Sequence, residues 1–270
     1  MNISIYAQLN HSIELYEEEV AQHQKGYRHT YQYQYKSIKH FFGCVPLKDF
    51  TSEDVRWFIT QRQKQVSDAT VKSDVGALQR FWNWLRRDMG LPLPNVFEHV
   101  RTPSSDVRRE YIPTEAEISR VFSLLPDDVK PVAMLLKETG MRRSEAVFIH
   151  RTNVNLAKKY IQLFDTKNGT SRKVPLNKKA IEIVEKELSN GRGILFAVNP
   201  QRISKQVRKA ADEVGLDMFV LHSLRHWRIS SLIMKGMDHA LVAGVSGHKD
   251  MRMLMRYTKH DATSLAGMLD

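Results

Sequence analysis

The chain has 270 residues and a mass of 31.3 kDa, room for two ordinary domains, and an apolar content of 42% that excludes wholesale disorder. No apolar run approaches the ~18 residues of a membrane span, and the first twenty residues lack a basic segment leading into an apolar one, so neither a membrane segment nor a secretory leader is expected. Lys and Arg (41) outnumber Asp and Glu (30) for a net charge of +11, which suits a polyanionic partner, while the single cysteine, Cys44, excludes an internal disulfide framework and a multi-cysteine zinc cluster.

The charge is uneven. Residues 1–105 carry 13 basic and 11 acidic side chains, and residues 106–270 carry 28 and 19. Most of the excess therefore lies in the later part. With one cysteine and no export signal, a reducing, cytoplasmic compartment is expected.

The first hundred residues read as helices. Thr51-Ser52 ahead of Glu53-Asp54 is an N-terminal capping signal, and Phe50 with Val55 can form a hydrophobic staple on a helix that buries Val55, Phe58 and Ile59. From Asp68 to Met89 the apolar positions Val71, Val75, Leu78, Phe81, Trp82 and Leu85 step by three and four, which predicts an amphipathic helix stopped by Gly90 and the prolines of GLPLPN. Trp82 and Trp84 are expected in the core. The polar, basic stretch 99–111 reads as a linker, either a plain surface loop or a strap following a nucleic-acid backbone.

Thr114 and Glu117 predict a capping box ahead of a helix carrying Ile118, Val121, Phe122 and Leu125. A second helix is expected from about 128 to 139 with Gly140 as its left-handed cap, and a third from Arg142. The period then changes. KYIQLFDTKNGTSRKVPL alternates around Asn168-Gly169, a strong hairpin signal. Helices are expected again at about 178–189, 200–213, 222–235 and 238–245, with a last pair over 249–257 and 262–269. The expected fold class is mostly α with a small antiparallel β-sheet: a helical domain at 1–98, a linker at 99–111 and a mixed α/β domain with a tail helix at 112–270.

Four separated segments carry the chemistry: TGMRRSE (139–145), DTKNGTSRKVPL (165–176), LHSLRH (221–226) and GHKDMRMLMRY (247–257). Singly, each has an ordinary reading. Arg142-Arg143 fits a solvated pair, Lys167 any hairpin lysine, His222 and Arg225 one helix face, and Tyr257 the core. Together they supply what breaking a phosphodiester without a metal needs: positive charge on the non-bridging oxygens, a nucleophile, and an acid for the leaving oxygen. Arg142 and Arg225 can grip those oxygens with a planar fork that lysine lacks. Tyr257 is the candidate nucleophile, Lys167 the candidate acid, and His222 a proton acceptor or phosphate donor. Ser144 and Ser223 have no base placed beside them by sequence. The histidines suggest no metal site, and no Gly-rich phosphate loop is present, so no cofactor is expected.

In this order and spacing the segments resemble the tyrosine recombinase (phage integrase) family. The T-G-x-R-x-S-E pattern matches Thr139, Gly140, Arg142, Ser144 and Glu145; H-x-x-R matches His222 and Arg225; G-H followed nine residues later by tyrosine matches Gly247, His248 and Tyr257; and the hairpin lysine matches Lys167 ahead of Arg172–Leu176. The resemblance implies a site-specific recombinase that forms a 3′-phosphotyrosyl link and a free 5′-hydroxyl, with no ATP because the link conserves the bond energy. It implies catalytic roles for Arg142, Lys167, His222, Arg225, His248 (steadying the pentacoordinate phosphate) and Tyr257, and support of the arginines or lysine by Glu145. His226 is either a supporting group or a helix-surface residue, and Arg172 and Lys173 are either phosphate contacts or solvated strand residues.

Double-stranded recombination sites are the implied partner, with a homo-tetramer on synapsed DNA and residues 1–98 as the core DNA-binding domain. The length implies a core-only, Xer-like or simple integrase without an added arm-binding domain. Three stretches depart from the family pattern, the mildest being Met141 in place of leucine after Thr139-Gly140. Ser246 stands where leucine is usual, and KDMRMLMR replaces a threonine-rich stretch before Tyr257. A type IB topoisomerase-like relaxase and a non-catalytic DNA-binding protein are the alternatives. Synapsis would separate the first, and the full set of catalytic residue types argues against the second.

Overall fold

The computed structural model describes residues 3–24, 26–104, 111–164, 171–248 and 250–255, and the chain divides into two compact units, Met1–Arg108 and Arg109–Asp270. The hairpin lysine Lys167, the Asn168-Gly169 turn, the nucleophile candidate Tyr257, the expected tail helix at 262–269 and part of the 99–111 segment lie outside the described residues.

The first unit is helical: α1 (Leu9–Glu19), α2 (Tyr31–Phe42), α3 (Ser52–Gln63) and α4 (Asp68–Arg87). The expected cap opens α3, where the Thr51 backbone N–H donates to Asp54 Oδ2 at 2.7 Å and Phe50 and Val55 are both buried. Helix α4 buries the whole predicted stripe, from Val71 through Leu85. Trp82 is fully buried and its indole donates to the Pro94 carbonyl at 2.9 Å, so its one polar atom is satisfied. Trp84 packs at 5.1 Å from the Tyr16 ring. Both tryptophans are core residues.

The second unit orders α5 (Glu115–Ser123), α6 (Lys130–Thr139), α7 (Arg143–Val147), β1 (Val154–Asn155), β2 (Tyr160–Leu163), β3 (Arg172–Pro175), α8 (Lys178–Leu188), α9 (Pro200–Glu213), α10 (Leu221–Met234) and α11 (His239–Ser246). The Thr114–Glu117 capping box is formed in both directions, at 2.7 Å and 3.2 Å. Helix α6 packs on α7, α8 and α10, with Val132, Ala133, Leu135 and Leu136 buried in the core of this unit. Burying each of its larger apolar side chains contributes about 1.5–3 kcal/mol.

Strands β2 and β3 pair antiparallel from Tyr160↔Pro175 to Leu163↔Arg172, as the alternation predicts, and the two-residue strand β1 adds a third member. The fold is thus mostly helical with one small antiparallel sheet.

One expectation is corrected. Residues 250–255 do not continue an α-helix from 249 to 257 but form a 3₁₀ turn over Met251–Met253. The Asp250 carboxylate takes the Arg252 backbone N–H at 3.0 Å and its guanidinium at 2.8 Å, an i, i+2 capture that competes with helical hydrogen bonding.

Candidate active site

Described residues of all four motif segments meet in the second unit. Gly140 ends α6 in the left-handed conformation (φ 66°), which turns the chain so that Arg142 precedes α7. Three residues later Glu145 reaches back to the Arg142 backbone N–H at 2.6 Å, the returning half of a capping box. That local bond fixes the spacing between arginine and carboxylate.

Each arginine binds a backbone carbonyl of another motif segment. Arg142 Nη2 donates to the Gly247 carbonyl at 3.0 Å, and Arg225 Nη1 donates to the Gly140 carbonyl at 2.7 Å. Segment 139–145 is therefore tied to the G-H turn by one arginine and to α10 by the other. Arg225 is only 4% exposed. Its Nη2 stands 3.2 Å from His248 Nε2 and 3.4 Å from Nδ1, so the cation lies against the imidazole. His222, one turn before Arg225 on α10, is exposed, and its ring meets His226 edge to face at 4.7 Å.

Glu145 is the anionic centre. Its Oε1 accepts from Arg142 Nη1 at 3.0 Å and Arg172 Nη1 at 2.8 Å, while Oε2 accepts from Arg172 Nη2 at 2.9 Å. Burial opposes its ionisation, but the Arg172 hydrogen bonds, and after them the Arg142 backbone bond, outweigh it and hold the carboxyl below the ordinary value. Arg172 is not a solvated strand residue. Its side chain is 11% exposed and its Nε also donates to the Val245 carbonyl at 3.3 Å. The neighbouring Lys173 lies over the Tyr160 ring at 4.9 Å.

Two further residues make contacts that the sequence alone did not indicate. The Ser246 hydroxyl lies 2.7 Å from the Val242 carbonyl and 2.7 Å from His248 Nδ1. A hydroxyl has one proton and a carbonyl only accepts, so Ser246 donates to Val242 and accepts from Nδ1–H. Gly247 ends α11 at φ 72°, and a Cβ there would sit 2.8–2.9 Å from the Arg172 guanidinium. The unusual serine was the only sequence signal for the first contact. The G-H pair alone gave no sign of the second.

Among the described residues no three His, Cys, Asp or Glu side chains are grouped to hold a metal ion, and no helix is long and apolar enough to cross a membrane.

Residues 114–264 match the model of the phage integrase family, more than half of the chain. The chain belongs to that family. Among its relatives is the shufflon-specific DNA recombinase of Escherichia coli, 27% identical over 97% of this chain and 71% of that protein. The tyrosine recombinase XerD of Neisseria meningitidis serogroup B is 27% identical over 68% of this chain and 70% of its own length. The fold is similar to that of lambda integrase solved as a tetramer bound to a Holliday junction, with a TM-score of 0.80 at 18% identity over 97% of this chain and 81% of that one.

Proposed function

We propose that the chain is a tyrosine site-specific recombinase that cleaves and rejoins double-stranded DNA between two recombination sites. The observation that carries the reading is the anchoring of Arg142 and Arg225, the first on the Gly247 carbonyl of the G-H turn and the second on the Gly140 carbonyl beside Arg142. Guanidinium groups held before substrate arrives need little reorganisation to meet the charge that develops on a phosphorane.

In this reading the Tyr257 oxygen attacks the scissile phosphorus. Its P–O bond forms as the bond to O5′ breaks, and the 3′-phosphate stays on the tyrosine. His222 takes the phenolic proton or donates to the phosphate. Lys167 gives its proton to the departing O5′, because a sugar alkoxide is a poor leaving group. Arg142, Arg225 and His248 face the non-bridging oxygens. Attack of a second strand's 5′-hydroxyl reverses the step and restores a phosphodiester, with no external energy source.

Residues 1–98 serve as the core DNA-binding domain, 99–111 as the linker and 112–270 as the catalytic domain. A homo-tetramer on synapsed DNA fits the lambda integrase assembly. It also fits the exposed apolar side chains Met234, Leu241, Met251, Met253 and Met255 near the end of the described chain. Leu265, Met268 and Leu269 recur at helical spacing in the sequence after Tyr257, outside the described residues, and in this reading that tail would dock on a neighbouring protomer.

The test uses duplexes selected from a randomised pool by binding to the chain, with a nick walked along one strand to trap cleavage, and a second labelled duplex to report exchange. Covalent adducts followed by joining of the two duplexes are expected. Adducts that only reseal their own strand would favour the relaxase, and the absence of adducts would favour a non-catalytic DNA-binding protein.

A further inference from the structure

The buried charge cluster behind Arg142 has an odd number of members. Glu145 sits within hydrogen-bond reach of Arg142, so by itself it would cancel that arginine's charge at the point where a phosphate must be held. Arg172 changes the sum. It faces Glu145 with a two-pronged fork at 2.8 Å and 2.9 Å, whereas Arg142 offers one guanidinium bond at 3.0 Å and turns its Nη2 to the Gly247 carbonyl. Parallel charge-assisted bonds of this kind are the stronger pairing. The arginine with the better geometry is also the less exposed, at 11% against 23% for Arg142.

We infer that Arg172 is a positioning residue that neutralises Glu145, so that the carboxylate orients Arg142 without consuming its positive charge. The trio then presents one net positive charge, located on its more exposed member. Arg172 also joins the segments mechanically. It opens β3, five residues after Lys167 in the chain, its Nε reaches the Val245 carbonyl, and its guanidinium occupies the space a Gly247 side chain would need. The inference rests on the recombinase reading for the identity of the anion, a scissile phosphate, and on the geometry alone for the charge balance.

Neutralisation of Glu145 and simple structural support by Arg172 differ in what a second substitution does. Arg172→Gln should leave Glu145 to pair with Arg142 alone, lowering the rate of adduct formation on nicked duplexes about 100-fold, the scale of removing one oxyanion donor. Duplex affinity should change about threefold or less, because many phosphates share it. Adding Glu145→Gln removes the unbalanced carboxylate, and the double variant should recover about tenfold over Arg172→Gln alone. Arg172→Lys, which keeps the charge without the fork, should fall between wild type and Arg172→Gln.

Orthovanadate, a mimic of the pentacoordinate phosphate, provides a parallel series without DNA. Its affinity by titration calorimetry should fall in Arg172→Gln and recover in the double variant. If the wild-type chain forms no adduct on any duplex, the recombinase reading fails while the vanadate series still decides the charge balance. Wild-type behaviour of Arg172→Gln in either series, a double variant no better than Arg172→Gln, or Arg172→Lys as poor as Arg172→Gln would overturn the inference.

Discussion

Ser246 Oγ and His248 Nδ1 lie 2.7 Å apart across the end of α11, with the serine proton committed to the Val242 carbonyl. The imidazole is thereby fixed with hydrogen on Nδ1, and its Nε2 is turned to the Arg225 side at 3.2 Å. A residue that departs from the family pattern in the sequence thus orients a residue that follows it.

Ser246→Ala removes the acceptor of a half-buried ring N–H, a penalty of about 1 kcal/mol, at the low end for a lost partner. That penalty should appear as a slower chemical step, at most about fivefold in adduct formation. Ser246→Thr, which keeps the hydroxyl, should stay closer to wild type. Single-turnover assays on nicked duplexes check this, and equal rates for Ala and Thr would refute the orienting role.

Gly247→Ala should be costly for two separate reasons. A Cβ at φ 72° is strained by about 1–2 kcal/mol, and it would also meet the Arg172 guanidinium at 2.8–2.9 Å. Gly236→Ala is a control, since φ there is 77° but no atom lies within 4 Å of the added Cβ. Both variants should melt lower than wild type, and only Gly247→Ala should also lose adduct formation. An active Gly247→Ala protein would contradict the close packing.

Much of the fold is legible in the sequence because it is local. The capping box of α5 and the glycine that ends α6 involve residues within one turn, and the apolar stripe of α4 is set by steps of three and four along one helix. Strand β1 has only two residues, too few to alternate, and the helix expected over 249–257 has suitable spacing that the Asp250–Arg252 capture overrides. In the site, the residue types and spacings indicated Arg142, Arg225 and His248. The bond of Glu145 to Arg172 spans 27 positions and no periodicity encodes it. Arg172 could be recognised only once β3 and α7 were side by side.

The Glu145 carboxyl is held below its ordinary value near 4.5, so it ionises more readily in the folded chain than in the unfolded one. Its contribution to stability is therefore fully present above that ordinary value and is lost as pH falls through the lower folded value. Urea unfolding of the full chain between pH 7 and 3 should show wild type losing more stability on acidification than Glu145→Gln. Parallel pH profiles for the two proteins would contradict the assignment.

Lys167→Ala should slow cleavage of ordinary DNA by about 100-fold or more, the scale of a general acid. Replacing the bridging 5′ oxygen with sulfur, which leaves without protonation, should restore most of that rate. If the sulfur substrate rescues Lys167→Ala no more than it accelerates wild type, the lysine is a groove contact.

The most direct measurement is to trap the chain on a nicked duplex, digest the adduct with protease and nuclease, and locate the modified residue by mass spectrometry. A nucleotide 3′-phosphate esterified to the Tyr257 oxygen, absent in Tyr257→Phe with duplex binding retained, is the predicted result. An adduct on any other residue, or one that persists in Tyr257→Phe, would contradict the account.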